Sequence, residues 1–297
     1  MKVLITGIAG LLGSELAKIL VKNNIKVCGT VRTFRNVDAV DKDQLFKWDA
    51  LVDKNFPSKA LVGVDVIIHL AGEPVANGRW TKKIKENILN SRVLGTKQIV
   101  AAVSMLKAQE QPKLFISGSA IGYYGDCADR NIDETSSPGK DFLSDVVIQW
   151  EKEMEKIPKN IRSIILRTGI VLAKNGGALS KMPPVVIGQG QNYMSWIHIA
   201  DWLQFVVNCL HDQKINGIFN LTAPNPELQK AFISKLVAAK KILFKLWSPQ
   251  FIVELGLGEV SKVILTSQKV IPEKLLRLKF NFMYPDLETA LQQIYRT

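Results

Sequence analysis

The stretch K2-VLITGIAGLLGSELAKI-L20 decides how the rest of the chain is read. Val3-Leu4-Ile5-Thr6 is a short apolar run of strand character that leads straight into Gly7, Gly10 and Gly13. Leu12, Leu16, Ile19 and Leu20 then recur at helical spacing. A glycine where a strand turns into a helix permits positive φ. It also lets backbone N–H groups come close to a pyrophosphate at the helix N-terminus. Gly7-x-x-Gly10-x-x-Gly13 departs from the usual dinucleotide fingerprint only in its first spacing, three residues instead of two. A secretory leader is not expected from the same residues: the glycines interrupt any apolar core, Glu15 follows at once, and no small-residue cleavage site is present.

Composition narrows the class. With 297 residues, 47% of them hydrophobic, the chain can bury a large core, in one large domain or two modest ones. It has no run of about 18 apolar residues, so no membrane span and no membrane partner are expected. Cys28, Cys127 and Cys209 are far apart and match neither zinc nor CxxC spacing; they read as reduced thiols of a cytoplasmic protein. The net charge of +12 raises the question of nucleic acid. The lysines are dispersed, however, and no basic arm, zinc finger or stacking motif accompanies them, so a solvated surface and no nucleic-acid partner are expected. Three scattered histidines make no metal site.

Apolar strand candidates alternate with helical patterns. The strands are Val3–Thr6, Lys26–Val31, Leu45–Trp48, Val64–Leu70, Lys113–Ser117 and Ser163–Leu166; helices are expected near Leu11–Val21, Ile84–Met105 and Phe142–Ile157. Such alternation predicts an α/β fold, a doubly wound parallel sheet covered by helices on both faces. Near-continuous Val, Ile and Leu in VDVIIHL (64–70) and SIILRT (163–168) fits strands buried on both sides. After about residue 175 the pattern changes to a Gly- and Pro-rich stretch. We therefore expect a dinucleotide-binding part over 1–175, with later contributions from about 195–222. A smaller substrate-side part over 176–297 is expected to leave the ligand in the cleft between them.

The second strand ends in GTVRTFR (29–35). An Asp or Glu near this point accepts from ribose hydroxyls in chains that select NAD. Here the position carries Arg32, with Arg35 close behind and no acid before Asp38. A guanidinium suits a 2′-phosphate, so NADP(H) is the expected cofactor. Asp49, after the third strand, is placed either to accept from the adenine amino group or to cap its own loop.

Together, TGIAGLLG (6–13), HLAGEPV (69–75), SGSAIGYYGD (117–126), LRTGIVL (166–172) and SWIHIADW (195–202) resemble the extended short-chain dehydrogenase/reductases. More narrowly, they are similar to an atypical branch called epimerase family protein, NAD-dependent epimerase/dehydratase-like and related to a cell-division inhibitor. LTSQKVIPEKLLRLKFNFMYPDLETAL (265–291) resembles the C-terminal domain of unknown function of that branch, here at about 246–295. The resemblance implies a Rossmann-like fold and NADP(H) binding. It sets Gly7, Gly10, Leu11, Leu12, Gly13, Arg32, Leu70, Ala71, Gly72 and Arg167 around the cofactor.

The family's hydride transfer uses a Ser, a Tyr and a Lys: the lysine lowers the tyrosine pKa and the phenol exchanges a proton with substrate. Ser119 matches the serine. The Tyr-x-x-x-Lys pair has no match. In DFLSDVVIQWEKE (141–153), aligning Glu151 with the glutamate that follows the lysine puts Leu143 and Val147 at the two positions. Tyr123, Tyr124 and Glu73 are the substitutes the sequence offers, with the tyrosines equally readable as pocket walls. His69 reads as a core residue. Met194 stands where sugar-nucleotide epimerases often have an arginine. Trp80, Arg92 and Trp196 are candidate pocket residues, and Gln268 and Lys269 could close the cleft. Two readings stay open. One is an NADP(H)-dependent oxidoreductase or epimerase acting on a small carbonyl or hydroxyl compound, sugar derivatives included. The other is a non-catalytic NADPH sensor or scaffold. Either is compatible with a monomer or a homodimer.

Overall fold

The apolar runs assemble into one seven-stranded sheet in the computed structural model, which describes residues 1–34, 37–76 and 78–296. Five strands come first in the chain: β1 (Lys2–Thr6), β2 (Lys26–Val31), β3 (Leu45–Lys47), β4 (Val66–His69) and β5 (Leu114–Ala120). Strands Arg162–Thr168 and Gly217–Leu221 complete the sheet beyond β5. Starting from Gly217–Leu221, the order runs through Arg162–Thr168, β5, β4, β1 and β2 to β3. All neighbours are parallel. The chain winds outward from β1 to β3, then returns to place β4 on the other side of β1. That reversal opens a crevice at the C-terminal ends of β1 and β4, where ligands bind in open sheets of this kind.

The alternating side chains of each strand serve two cores, which explains why the strands read as unbroken apolar runs. Val3 and Ile5 join Leu16 and Leu20 of helix α1 (Leu11–Lys22) and Trp202, Leu203 and Phe205 of the helix Ile199–His211. Leu4, Ile67 and Phe115 face the other way. They pack with Ile99 and Val103 of helix α2 (Lys82–Ser104) and with Met154 of helix α3 (Phe142–Met154). Thr81 and Asp141 accept from the N–H groups of Ile84 and Ser144 and so cap α2 and α3. By contrast, α1 begins after Gly10, a residue that borders the crevice, with no side-chain cap and no acid in its first turn.

Residues beyond the sheet form a third core of Leu172, Trp196, Phe232, Leu236, Leu287 and Leu291. Short parallel pairs stitch this part to the sheet edge, Lys269–Val270 with Asn131–Ile132 and Trp196–His198 with Ile170–Leu172. The sequence reading found no strand at Gly217–Leu221, whose five residues include two that are polar or conformationally weak. Among the described residues, no helix is long and apolar enough to cross a membrane.

Candidate functional site

The crevice is a cleft of about 630 Å³. Its floor is backbone: Gly7 and Gly10 after β1, and Leu70, Ala71 and Gly72 after β4. Gly7 has φ +68°, and a Cβ there would lie 3.0 Å from the backbone of Ala71. Gly13 lines no part of the cleft. It lets α1 lie against the loop, since a Cβ there would sit 2.5 Å from the Gly7 carbonyl oxygen. Leu12 packs into the core, and Leu11 points to a separate hollow with Ala173 and Lys174.

The far wall is made by residues that follow β2 and β3. Arg32, Thr33 and Asp49 line it, whereas Arg35 lies outside the described residues. Arg32 has a 59% exposed side chain and pairs with the Glu73 carboxylate, which reaches it across the cleft. Asp49 has the loop-capping role, its Oδ1 accepting from the Leu51 N–H at 2.9 Å, and it borders the cleft.

Beneath the Leu70–Gly72 loop lies a buried relay. The Thr6 hydroxyl oxygen accepts from the N–H groups of Leu70 and Ala71, at 3.2 and 3.3 Å. Its own hydrogen is left for His69 Nδ1 at 2.6 Å, so the histidine carries its proton on Nε2. That nitrogen has no hydrogen-bond partner among the described residues and lies among the rings of Trp48, Phe115 and Trp150. Burial first, and then the Arg92 charge, push the His69 pKa down to about 3, so the ring is neutral. Arg92 itself packs under Gly72, donates to the Ile88 carbonyl at 3.0 Å and stands over the Trp150 ring.

The other half of the same sheet edge is built from side chains. Ser119 and Arg167 are neighbours in register on β5 and Arg162–Thr168. Ser119 Oγ donates to Glu151 Oε1 at 2.6 Å. Arg167 grips the same carboxylate with two bonds, Nε to Oε1 at 2.9 Å and Nη2 to Oε2 at 2.7 Å. Its Nη1 donates to the Tyr124 phenol at 3.0 Å, and that phenol donates to Asn220 Oδ1 at 2.7 Å. Burial pushes the Tyr124 pKa up to about 12, against the lowering effect of Arg167. Burial would lower the Arg167 pKa, but its bonds to Glu151 more than offset this and raise it. Tyr123 is half-buried, its ring face only 3.4 Å from the Arg167 guanidinium carbon, and its hydroxyl has no hydrogen-bond partner among the described residues.

Several sequence candidates therefore separate. Arg167 is 2% exposed and serves the Glu151 network instead of lining the cleft. Glu73 is at the Arg32 wall, its N–H donating to Ser91 Oγ. Leu143 and Val147 pack beside the Gly122 turn, where Cβ of Leu143 would lie 3.6 Å from a side chain added at that glycine. Trp196 is fully buried, and Trp80 donates to the Val75 carbonyl. Gln268 clasps the Ile121 and Gly125 carbonyls, fixing the tyrosine turn from the C-terminal side. His198 caps its helix through Ala200 N–H, and Asp201 accepts from Met283 and Tyr284 N–H. Sequence reasoning used Glu151 only as an alignment anchor and missed Asn220 altogether; an asparagine amid an apolar strand was its one signal. No group of three or more His, Cys, Asp and Glu among the described residues is placed to hold a metal.

Comparison with known proteins adds the following. A model described as the NAD dependent epimerase/dehydratase family matches residues 3–142, and one described as a domain of unknown function, DUF1731, matches residues 248–294. Epimerase family protein YfhF of Bacillus subtilis is 33% identical over 302 residues, spanning 99% of this chain and 98% of that protein. The chloroplastic epimerase family protein SDR39U1 homolog of Arabidopsis thaliana is 31% identical over 99% of this chain and 86% of its own length. Among solved structures, human epimerase family protein SDR39U1 (isoform2) with NADPH superposes with a TM-score of 0.87 at 26% identity, over 99% of both chains. A nucleoside-diphosphate sugar epimerase from Corynebacterium glutamicum gives 0.78 at 30% identity, over 99% of this chain and 58% of that one.

Proposed function

Because this chain belongs to the epimerase family, we propose that it binds NADP(H) in the crevice between β1 and β4. We further propose that it acts as an oxidoreductase or epimerase on a small carbonyl or hydroxyl compound. The single observation that carries the cofactor half is the cleft itself, with a positive-φ Gly7 on its floor, the uncapped start of α1 beside it and the exposed Arg32 on its far wall. A pyrophosphate suits the α1 N–H groups, and a 2′-phosphate suits Arg32. NADPH bound there supplies a hydride to a carbonyl carbon, or NADP⁺ accepts one from a carbinol carbon.

This chain's own residues then have to move a proton. Leu143 and Val147 cannot, and Tyr124 has both its donor and one acceptor site engaged. Tyr123 is the candidate we favour. Its phenol is uncommitted and half-exposed, and Arg167 fixes a positive charge against the ring, where negative charge developing on the oxygen is stabilised. Ser119 gives its only hydrogen to Glu151, so its proposed role is as an acceptor that positions a substrate hydroxyl. The three buried free cysteines suit a reducing, cytoplasmic setting.

Calorimetry with NADPH and NADH tests the first half. Arg32→Ala is expected to weaken NADPH by about 1.5–3 kcal/mol, roughly ten- to hundred-fold, and to leave NADH nearly unchanged. Equal losses for both cofactors refute the assignment. Screening carbonyl compounds for NADPH oxidation tests the second, with Tyr123→Phe expected to lower turnover by roughly 10²–10⁴-fold at unchanged NADPH affinity. A sensor or scaffold is the second reading, favoured by the same commitment of Tyr124 and Ser119 to buried partners. Tight NADPH binding with no turnover across a broad screen selects it.

A further inference from the structure

The segment from Lys240 to Leu257 inverts the burial seen elsewhere. Leu243 is 95% exposed, Leu255 77%, Phe244 67%, and Trp247 and Phe251 66% each; Leu246 and Ile252 are also exposed. The helix Gln250–Leu257 buries none of its residues, whereas the helix Leu287–Tyr295, of similar length, buries Leu287, Ala290, Leu291 and Ile294. Large apolar side chains held in water forgo the main driving force of folding, and a contiguous set of them marks a contact surface.

These side chains are held out by a fixed scaffold. Leu246–Ser248 pairs in parallel with Val185–Ile187, and Trp247 Nε1 donates to the Gly188 carbonyl at 2.7 Å. Arg79 caps the helix C-terminus by donating to the carbonyls of Leu255 and Gly256, at 2.6 and 2.9 Å. Nothing in that framework turns the rings inward.

Charge identifies the occupant. Lys240 and Lys241 precede the apolar residues, Lys245 lies among them and Lys262 follows them, whereas Glu254 and Glu259 are the acids of the stretch. Glu259 is already paired with Lys85 at 2.6 Å, which leaves the lysines in excess. A second copy docking here would set one lysine rim against another. An anionic bilayer meets both halves: Trp, Phe and Leu enter the boundary between headgroups and acyl chains, and lysines stay at the level of the phosphates. We propose that this face docks peripherally on an anionic lipid surface. The composition-based expectation of no membrane partner rests on the lack of a spanning run, a test to which a surface-lying segment is invisible.

The test is sedimentation of the full chain with phosphatidylcholine vesicles, and with the same vesicles enriched in phosphatidylglycerol. Binding is expected to the anionic vesicles, at least about tenfold above the neutral ones, and to weaken as salt rises. Trp247→Ser with Phe251→Ser is expected to lower it about tenfold or more at unchanged circular dichroism. Lys241→Glu with Lys245→Glu tests the charge on two exposed residues and is expected to lower anionic binding about tenfold. Failure of the wild type to sediment with anionic vesicles overturns the proposal, as does equal binding to neutral ones. So does a concentration-dependent dimer in analytical ultracentrifugation that the serine pair dissolves, which assigns the face to a second copy.

Discussion

Two arginine–glutamate pairs stand on the same edge of the sheet and behave as opposites. Arg32–Glu73 crosses the open cleft after β2, with side chains 59% and 23% exposed; Arg167–Glu151 lies beyond β5, with side chains 3% and 10% exposed. The first is a loose pair in water, whose guanidinium is available to any better anion. The second is bidentate and shares its carboxylate with Ser119 and its arginine with Tyr124. Chemically identical partners make an exchangeable pair where water reaches them and a scaffold where it does not.

The largest expected effect separates the two directly. Glu151→Leu strands the Arg167 guanidinium in the core, and breaking a buried pair this way costs about 3–5 kcal/mol. Removing both charges together, as Glu151→Leu with Arg167→Met, is expected to recover much of that loss. Glu73→Leu at the exposed pair should stay within about 1 kcal/mol. Urea unfolding of the four proteins checks the ordering. Similar losses at both sites would erase the distinction between ligand site and scaffold.

The same contrast explains what could be read from the sequence. The cofactor half was legible because its parts are contiguous: GIAGLLG is strand end, turn and helix start in seven residues, and Arg32 follows a strand at a known place. Backbone geometry leaves a local trace in glycines. The strands Lys26–Val31 and the helix start at Leu11 were readable for the same reason. The network half was not legible. Ser119, Glu151, Arg167, Tyr124 and Asn220 come from separate elements up to a hundred residues apart, and only packing brings them together. Arg167 enters the cofactor set only through the family resemblance, and nothing in sequence spacing reveals its carboxylate partner on α3, Glu151. The apolar 243–257 segment was hidden for another reason, since hydrophobicity alone does not say which side of a surface a residue takes.

His69 lies between the two halves and offers an intermediate effect. Its folded pKa is depressed, from 6.5 to about 3, by burial and then by Arg92. The stability it supports is therefore fully present above pH 6.5 and is lost as pH falls towards about 3. Between those limits the slope from this one group approaches about 1.4 kcal/mol per pH unit. His69→Asn keeps a carbonyl for the Thr6 hydroxyl but cannot titrate. It is expected to be less stable than wild type at neutral pH yet to lose stability less steeply on acidification. Chemical denaturation at several pH values reads both. Parallel slopes would mean that the ring gains its proton without strain, and that the floor of the cofactor loop is less dry than the structure has it.

The smallest expected effect decides what Glu73 is for. Its carboxylate occupies the guanidinium proposed for the 2′-phosphate. A ligand phosphate has to displace it, and an exposed pair of this kind is worth about 0–1 kcal/mol. Glu73→Gln is therefore expected to tighten NADPH by up to roughly fivefold, with NADH, which has no phosphate to offer Arg32, changed less. Because the competition is between screened charges, the gain should shrink as salt is raised. If Glu73 were instead the proton-transfer group, the same variant would leave NADPH affinity unchanged and lower turnover by roughly 10²–10⁴-fold. The two outcomes move different observables, so one titration and one rate measurement separate them. An unchanged affinity would return Glu73 to the chemistry and leave the Arg32 wall without its competitor. A tightened one would make the open pair what its exposure suggests: a rehearsal, by a side chain, of the contact the cofactor completes.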